Sequence, residues 1–293
     1  MKRSAFTILF LIIAIYINAQ EEHTPNRIDS IRASIRERYE AVKPRYNADS
    51  VRRVVESGPY FTLYKDNYFI GGIPVGDKIS ATSSNVKFQL SISQKLTRSK
   101  LPFDTYLYLQ FTQKTIWNVF EESLPMLDLN FNPGIGLGHL IIRKNQYVGM
   151  SYMMIEHESN GKDSIASRSW NKISFGITYH LTKNFEVQGK IWIPIVDGKN
   201  NKDILKYNGI AQAAICYQTD NQRLKACLLT TFRKSWGGLN TQWELSYKLN
   251  NNENQYMFLQ YYNGYGEYLL DYNKFQSMLR IGFVIKPKGS SLF

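Results

Sequence analysis

Cysteine is scarce in this chain, with two residues among 293, so a framework of several disulfides is excluded. Cys216 and Cys227 lie in adjacent predicted strands and could pair if the strand register allows. We expect instead two unpaired thiols that are buried or face lipid. Proline is also sparse, with nine residues, and this suits a chain of many short strands.

Long apolar runs are missing after the first twenty residues, so no transmembrane helix is predicted. The one extended run, residues 6–16, follows two basic residues and precedes Ala19. This order of basic residues, apolar core and small residue is typical of a secretory signal peptide. We therefore expect residues 1–19 to be cleaved before Gln20 and the remaining chain to be exported.

Acidic residues are outnumbered by basic ones, 24 against 36, which leaves a formal net charge of +12. In an exported chain this surplus favours contact with anionic lipid head groups or lipopolysaccharide phosphates. Nucleic-acid binding is the competing interpretation of a basic chain. No helix-turn-helix, zinc-finger or clustered basic–aromatic motif supports it, and export argues against it.

Alternation of apolar and polar residues is abundant after residue 60, together with 20 tyrosines and 16 phenylalanines in the whole chain. Such alternation predicts strands with one apolar and one polar side. It does not by itself distinguish a water-soluble sandwich from an outer-membrane barrel, whose apolar side faces lipid. The predicted export, the aromatic content and the final Phe293 favour the barrel.

We predict an all-β fold, a transmembrane antiparallel β-barrel of about twelve strands that forms one domain over residues 60–293. The strands are expected to begin near Phe61, Val86, Phe103, Leu129, Asn145, Arg168, Asn184, Leu205, Arg223, Leu239, Gln255 and Ser277. Residues 20–59 show helical spacing instead and predict a periplasmic segment of one or two short amphipathic helices, with Asp49 as a cap. A mobile tail is the alternative for this segment.

Three polar residues are candidates for a hydrolytic site. His157 and Ser159 are two residues apart, so on a strand both leave the same face, where an imidazole can take the proton of a hydroxyl. Asn171 follows on the next strand, on the side that carries the apolar residues of that strand. We expect all three to point towards the membrane, where polar groups are costly. Spacing alone favours the simpler interpretation that the three polar residues only mark the rim of a strand pair, because His-x-Ser is a common pair.

The segments HESNG at 157–161 and SRSWN at 167–171 closely resemble motifs of the outer membrane phospholipase A family. Glu158 stands where enterobacterial members of that family have aspartate. Further blocks resemble the family in the same order and together span most of residues 60–285. They are KFQLS at 87–91, TQK at 112–114 with Trp117, EES at 121–123, NFNP at 130–133, QYYNGYGE at 260–267 and LDYN at 270–273.

This resemblance implies a phospholipase A1 or A2 that hydrolyses acyl ester bonds of phospholipids and lysophospholipids. Ser159 would be the nucleophile and His157 the general base and then acid, while Asn171 would orient His157. Ser159 and Gly161 would stabilise the oxyanion. If the N-terminal segment is periplasmic, the loop 160–167 is external, and the site lies near the outer leaflet.

The resemblance also implies calcium and an active homodimer. The calcium ligands map onto Ser167 and the backbone carbonyl of Lys162 in one subunit, and onto Ser123 of the other. Gln113 matches a polar dimer-interface residue of the family, with a lumen-facing glutamine as the alternative. Two other functions stay open: a passive porin or structural barrel, and a barrel that deacylates lipopolysaccharide or transfers palmitate.

Overall fold

The computed structural model describes residues 30, 31, 33, 46–196, 198–234, 238–250 and 254–287. The expected signal peptide and Phe293 lie outside these residues. The chain divides into two compact units, Met1–Lys43 and Pro44–Phe293. In the first unit the three described residues are helical. Among the described residues, no helix is long and apolar enough to cross a membrane.

The second unit contains strands β1 to β14 and helices α1 and α2. The short elements are β1 (Tyr46–Asn47), α1 (Ala48–Ser57), β2 (Phe61–Leu63) and α2 (Leu205–Asn208). The longer strands are β3 (Asn67–Pro74), β4 (Asn85–Lys95), β5 (Thr105–Trp117), β6 (Met126–Arg143), β7 (Gln146–Ser159), β8 (Ser169–His180), β9 (Phe185–Ile195), β10 (Ala211–Gln218), β11 (Leu224–Phe232), β12 (Leu239–Lys248), β13 (Gln255–Gly264) and β14 (Gln276–Ile285).

The twelve strands β3 to β14 form one closed antiparallel sheet. Each strand pairs with the next along the chain, and β14 pairs with β3 to close the circle. Closure leaves no unpaired strand edge, which a membrane-spanning sheet requires. The predicted barrel of about twelve strands is therefore confirmed. Two short strands lie off this circle, since β1 pairs with β7 and β2 with β4.

The faces of the barrel are opposite in polarity to those of a water-soluble protein. On β4, Leu90 and Ile92 are 55% and 44% exposed, whereas Ser91 and Ser93 between and beside them are buried. The same alternation places large apolar side chains on the outer surface of most strands. An apolar exterior around a polar interior is the arrangement of an outer-membrane barrel and excludes the sandwich.

The interior of the barrel is crossed by buried ion pairs. Glu267, in the connection between β13 and β14, pairs with Lys87 at 3.1 Å and with Arg280 at 2.6 Å. Glu156 of β7 pairs with Lys190 of β9 at 2.7 Å, past the intervening strand β8. A buried charge without its partner is strongly destabilising. These pairs therefore hold the strands and the β13–β14 connection in one arrangement.

An apolar cluster lies at the end of the barrel where β8 begins. We call it the roof cluster; its buried members are Trp170, Trp192, Ile204, Leu269 and Tyr272. Two connections, 196–210 and 265–275, contribute residues to it. The second connection is also held by hydrogen bonds from the backbone N–H of Leu269 to Asn130 (3.0 Å) and from that of Leu270 to Asp128 (2.8 Å).

Two local predictions need correction. A strand was expected to begin at Leu205, but Leu205–Asn208 is the helix α2, and β10 begins at Ala211. The apolar residues of this segment pack against the roof cluster and do not form part of the barrel wall. The cap of α1 is Asn47 instead of Asp49, because the Asn47 side chain accepts the backbone N–H of Asp49 at 2.9 Å.

The expectation of two unpaired thiols is wrong. Cys216 of β10 lies directly opposite Cys227 of β11, and a disulfide of 2.09 Å joins them. Both side chains are buried on the lumen side of the wall. The pairing depends on the register of the β10–β11 hairpin, which the spacing of the two residues does not specify.

Candidate active site

His157 and Ser159 lie at the end of β7, and Asn171 lies near the start of β8. The connection 160–168 joins these two strands, so all three residues are at the same end of the barrel. His157 is directly opposite Asn171 in the strand register, and Ser159 is opposite Ser169. The β7–β8 hairpin therefore brings together residues that are fourteen positions apart, His157 and Asn171.

All three side chains leave the outer face of the barrel. His157 and Ser159 share their face of β7 with Met153 and Ile155, which are 42% and 60% exposed. Tyr152, Met154 and Glu156, which have the opposite parity on β7, are buried in the interior. Each of the three polar residues is half-buried. The candidate site thus lies on the outer, lipid-facing surface of the barrel and not in the lumen.

The imidazole of His157 is oriented by Asn171. Its Nδ1–H donates to the Oδ1 atom of Asn171 at 2.8 Å. An amide oxygen only accepts hydrogen bonds, so Nδ1 carries the hydrogen and Nε2 is left with its lone pair. The Ser159 hydroxyl makes no hydrogen bond to any residue that the structure describes. The structure therefore brings the His157 imidazole into contact with Asn171, while Ser159 lies on the same face without a hydrogen bond to that imidazole.

The inner face of the same hairpin is held by a charged contact. Glu158 points into the barrel, where its carboxylate accepts hydrogen bonds from Trp170 Nε1 at 3.1 Å and Lys172 Nζ at 3.0 Å. These residues flank Asn171 in sequence. The contact ties β7 to β8 directly behind the outward-facing site, and glutamate is long enough to reach both donors.

The loop after Ser159 is organised by the buried side chain of Asn160. Its amide donates to the Ala166 carbonyl at 2.9 Å, and its Oδ1 accepts the backbone N–H of Arg168, also at 2.9 Å. Gly161 follows with a φ of +63°. A Cβ at this position would lie 3.0 Å from the Phe131 ring, so both conformation and space favour glycine.

The connection 196–210 supports the loop from the other side. Asn201 is fully buried and brackets Ser169, since its amide donates to the Ser169 carbonyl at 2.9 Å and its Oδ1 accepts the Ser169 N–H at 3.3 Å. Asn200 donates to the Ser164 carbonyl at 2.6 Å. These asparagines fix the loop relative to β8.

Two of the three residues expected to bind calcium, Lys162 and Ser167, lie in the loop after Ser159. Within the described residues, neither the Lys162 carbonyl nor the Ser167 hydroxyl accepts a hydrogen bond, and both are neutral oxygens of the type that calcium binds. The Lys162 ammonium is turned away and donates to the Leu127 carbonyl at 2.8 Å. Ser123 is exposed in the connection between β5 and β6. Two oxygens are fewer than the six to eight that calcium takes, so the set fits an ion only if further ligands join it.

Gln113 faces outwards from β5. It shares its side with Leu109 and Phe111, whose side chains are exposed, whereas Gln110 and Thr112 are buried in the interior. The structure therefore excludes the alternative of a lumen-facing glutamine. A polar side chain on the apolar exterior is expensive in lipid and marks a candidate for contact with another protein.

Sequence reasoning missed one residue that contacts the site directly. The amide of Asn132 on β6 donates to the backbone carbonyl of His157 at 2.9 Å. The signal was present in the NFNP block at 130–133, which the family resemblance included without a role for any member. The roles of Asn160 and Asn201 in holding the loop and the start of β8 were likewise not predicted.

Comparisons with known proteins find phospholipases. The family model described as phospholipase A1 matches residues 73–285. The phospholipase A1 of Escherichia coli strain K12 is 32% identical over 212 residues, which are 70% of this chain and 71% of that protein. The solved outer membrane phospholipase A of Escherichia coli matches with a TM-score of 0.68 and 27% identity, covering 80% of this chain and 99% of that chain.

A second solved structure shows the same fold. It is the outer membrane phospholipase of Salmonella typhi, crystallised as a dimer with bound calcium. Its TM-score with this chain is 0.69 at 24% identity, and the match covers 82% of this chain and 98% of that chain.

Proposed function

Because this chain belongs to the phospholipase A1 family of outer-membrane barrel enzymes, we propose that it hydrolyses acyl ester bonds of phospholipids and lysophospholipids at Ser159, His157 and Asn171. The observation that carries the proposal is the hydrogen bond from His157 to Asn171 on the outer face of the barrel. A base oriented in this way, beside a serine of the same face, meets acyl chains where they lie in the membrane.

The chemistry follows from the tautomer of His157. Its Nε2 atom takes the proton of the Ser159 hydroxyl as that oxygen attacks the ester carbonyl. The imidazolium then gives the proton to the departing glycerol oxygen, which leaves an acyl group on Ser159. Water attacks this acyl group with His157 again as base, and the fatty acid is released. Asn171 holds the ring throughout without adding a buried charge.

Of the two residues expected to stabilise the oxyanion, Gly161 fits the role better than Ser159. Ser159 is paired with Phe131 in the β6–β7 ladder, which engages its backbone. Gly161 lies beyond the ladder, and its N–H donates to no residue that the structure describes. A backbone N–H aimed at the developing negative charge lowers the barrier of acyl transfer.

We propose calcium as the cofactor, held by the Lys162 carbonyl and the Ser167 hydroxyl. When bound there it supplies positive charge beside the oxyanion. The two neutral oxygens of one loop leave most of the coordination sphere to water and to Ser123 of a partner subunit. The fold shared with the calcium-bound dimer of Salmonella typhi supports this assignment. A site completed by the partner makes activity depend on dimerisation, with Gln113 at the interface.

The lengths of the connections support a site near the outer leaflet. At the end that carries the site they are residues 75–84, 118–125, 160–168, 196–210, 233–238 and 265–275. At the other end they are residues 96–104, 144–145, 181–184, 219–223 and 249–254. Bacterial barrels have short periplasmic turns and longer external loops. Substrate would then be phospholipid that has entered the outer leaflet, among lipopolysaccharide.

A passive pore is less compatible with the interior. Buried ion pairs cross the lumen, and the roof cluster with its two connections lies over the end that carries the site. A pore would need neither the outward-facing His157 nor its partner Asn171. A barrel that deacylates lipopolysaccharide would share the chemistry and differ in substrate, so the assay below includes both lipids.

The experiment is fatty-acid release by refolded protein in detergent micelles that contain either phospholipid or lipopolysaccharide, with calcium or with a chelator. We expect calcium-dependent release by the wild type and a loss of at least about 10³-fold in Ser159→Ala and His157→Ala. Ser151→Ala is the matched control, since Ser151 lies on the outer face of the same strand, opposite Ile177. Equal activity of all four proteins would overturn the site, and release from lipopolysaccharide alone would overturn the substrate.

A further inference from the structure

The backbone carbonyl of His157 is bound by a side chain. The Nδ2 atom of Asn132, on β6, donates to it at 2.9 Å. In an antiparallel sheet such a carbonyl is ordinarily bound by a backbone N–H of the neighbouring strand. The unusual side-chain hydrogen bond thus occurs at His157, the residue whose imidazole is oriented by Asn171.

The direction of the His157 backbone groups follows from the strand ladder. Three residues later, Asn160 donates its N–H to the Arg168 carbonyl at 3.0 Å, towards the β8 side of the hairpin. Successive residues of a strand direct their backbone groups to opposite neighbours. The N–H and carbonyl of His157 therefore point to the other neighbour, β6, which is where Asn132 lies.

The residue of β6 that stands opposite His157 is a proline. Phe131 pairs with Ser159 and Gly134 pairs with Glu156, and counting along both strands from either pair places Pro133 opposite His157. Proline has no backbone N–H and cannot donate to the ladder. The His157 carbonyl thus lacks its regular donor, and the amide of the adjacent Asn132 supplies the missing hydrogen bond.

We propose that Asn132 is a positioning residue for His157, an inference that rests on the proposed function. The amide restrains the backbone at the one residue whose ring must face both Ser159 and Asn171. Without it the carbonyl is unsatisfied and the His157 backbone is free to shift, which moves the Nε2 atom relative to Ser159. Asn132 faces the barrel interior and does not contact substrate.

The test removes the amide and then restores the donor by a different route. In Asn132→Ala we expect kcat to fall about 10- to 100-fold, the loss that a misplacement of about 1 Å in a catalytic group produces. KM should stay unchanged, because the lipid-facing contacts are intact. In Asn132→Ala/Pro133→Ala the backbone N–H of residue 133 becomes available opposite His157, and kcat should recover most of the loss. Pro133→Ala alone should resemble the wild type.

A matched control separates positioning from stability. Asn184 donates to the Gln218 carbonyl at 2.8 Å at the opposite end of the barrel, so Asn184→Ala loses the same kind of bond far from the site. We expect it to keep the wild-type kcat. If Asn132→Ala does not refold, Asn132→Leu, which has a similar shape and no donor, takes its place with and without Pro133→Ala.

Three results would overturn the proposal. They are a wild-type kcat without the Asn132 amide, a double variant no faster than the single one, and an equal loss of kcat in Asn184→Ala. Failure of the proposed function is a separate result, because full activity of Ser159→Ala in the same assay would show that the chemistry lies elsewhere.

Discussion

His157 and Asn171 face each other across the β7–β8 hairpin, and the His157 Nδ1 atom lies 2.8 Å from the Asn171 Oδ1 atom on the outer surface of the barrel. An amide in this position fixes the tautomer of the ring but adds no charge. Because the surface faces lipid, a carboxylate in its place would be costly to keep ionised. Asn171 therefore orients the imidazole of His157 without the free-energy cost of a charged group next to lipid.

Removal of the Asn171 side chain should impair chemistry more than binding. Loss of one hydrogen bond to the imidazole, worth about 1–3 kcal/mol where a polar group is left unsatisfied, predicts a fall in kcat of about 5- to 150-fold in Asn171→Ala. The measurement is steady-state release of fatty acid in calcium. A change confined to KM would contradict the orienting role.

The charged replacement tests the same contact through pH. In Asn171→Asp the carboxylate stabilises the protonated imidazole of His157, so the neutral base forms only at higher pH. We expect the acid limb of the kcat profile to move to higher pH than in the wild type. Asn184→Asp, at the opposite end of the barrel, serves as the control, and an unmoved limb in Asn171→Asp would count against His157 as the base.

Calcium dependence should be sensitive to Ser167. In Ser167→Ala one oxygen ligand is lost, and we expect the calcium concentration for half-maximal activity to rise about tenfold, the equivalent of about 1.4 kcal/mol. Activity should return at saturating calcium. Ser164→Ala in the same loop is the control, because the structure gives Ser164 a role through its carbonyl only. An unchanged calcium requirement in Ser167→Ala would remove Ser167 from the ligand set.

The exterior position of Gln113 predicts a role in association. In Gln113→Leu the outer surface becomes uniformly apolar at this point, and a hydrogen bond worth about 1 kcal/mol in a membrane is lost. We expect the calcium-dependent dimer fraction, measured by chemical crosslinking in detergent, to fall several-fold. Thr241→Val, on the outer face of β12, should leave the fraction unchanged. The same result in both variants would place the interface elsewhere.

Stability should depend on pH through Glu267. Burial would raise the pKa of this carboxyl, but Arg280 and Lys87 outweigh it and lower the pKa from 4.5 to about 2. Between these values the unfolded chain binds more protons than the barrel, so stability falls as the pH drops from about 4.5 towards about 2. The contribution is fully present above pH 4.5.

The matching variant is Glu267→Gln, measured by denaturant unfolding in detergent from pH 2.5 to 7. We expect a loss of about 3–5 kcal/mol at pH 7, because two buried cations lose their partner. The slope of stability against pH below 4.5 should also decrease. Glu122→Gln, at an exposed position, should retain the wild-type slope. A variant as stable as the wild type at pH 7 would contradict the buried network.

The individual strands that were predicted correctly rest on local patterns. Alternation over 86–93 and 185–193 predicted β4 and β9, because a period of two depends only on adjacent residues. The failure at Leu205 has the same origin, since a short apolar run does not show whether it will enter a sheet or pack on a loop cluster. The apolar face of α2 is satisfied by the roof cluster, which assembles from distant segments.

In the candidate site, too, some relationships follow from one strand alone and others depend on how the strands pair. The common face of His157 and Ser159 was predictable because they are two positions apart on one strand. The contact of His157 with Asn171 required the register of a hairpin, and the contact with Asn132 required the neighbour on the other side. The pairing of Cys216 with Cys227 also depended on register, and the prediction was wrong for that reason.

The sequence by itself determined that this chain forms amphipathic strands, and which side chains share a side of each strand, because successive residues point in opposite directions in any sheet. Only the tertiary structure decided that Pro133 stands opposite His157 and that Glu267 pairs with Arg280 and Lys87 inside the barrel. These relationships depend on register, on closure and on which strands become neighbours. They are set by contacts between residues far apart in the chain, which no local pattern records.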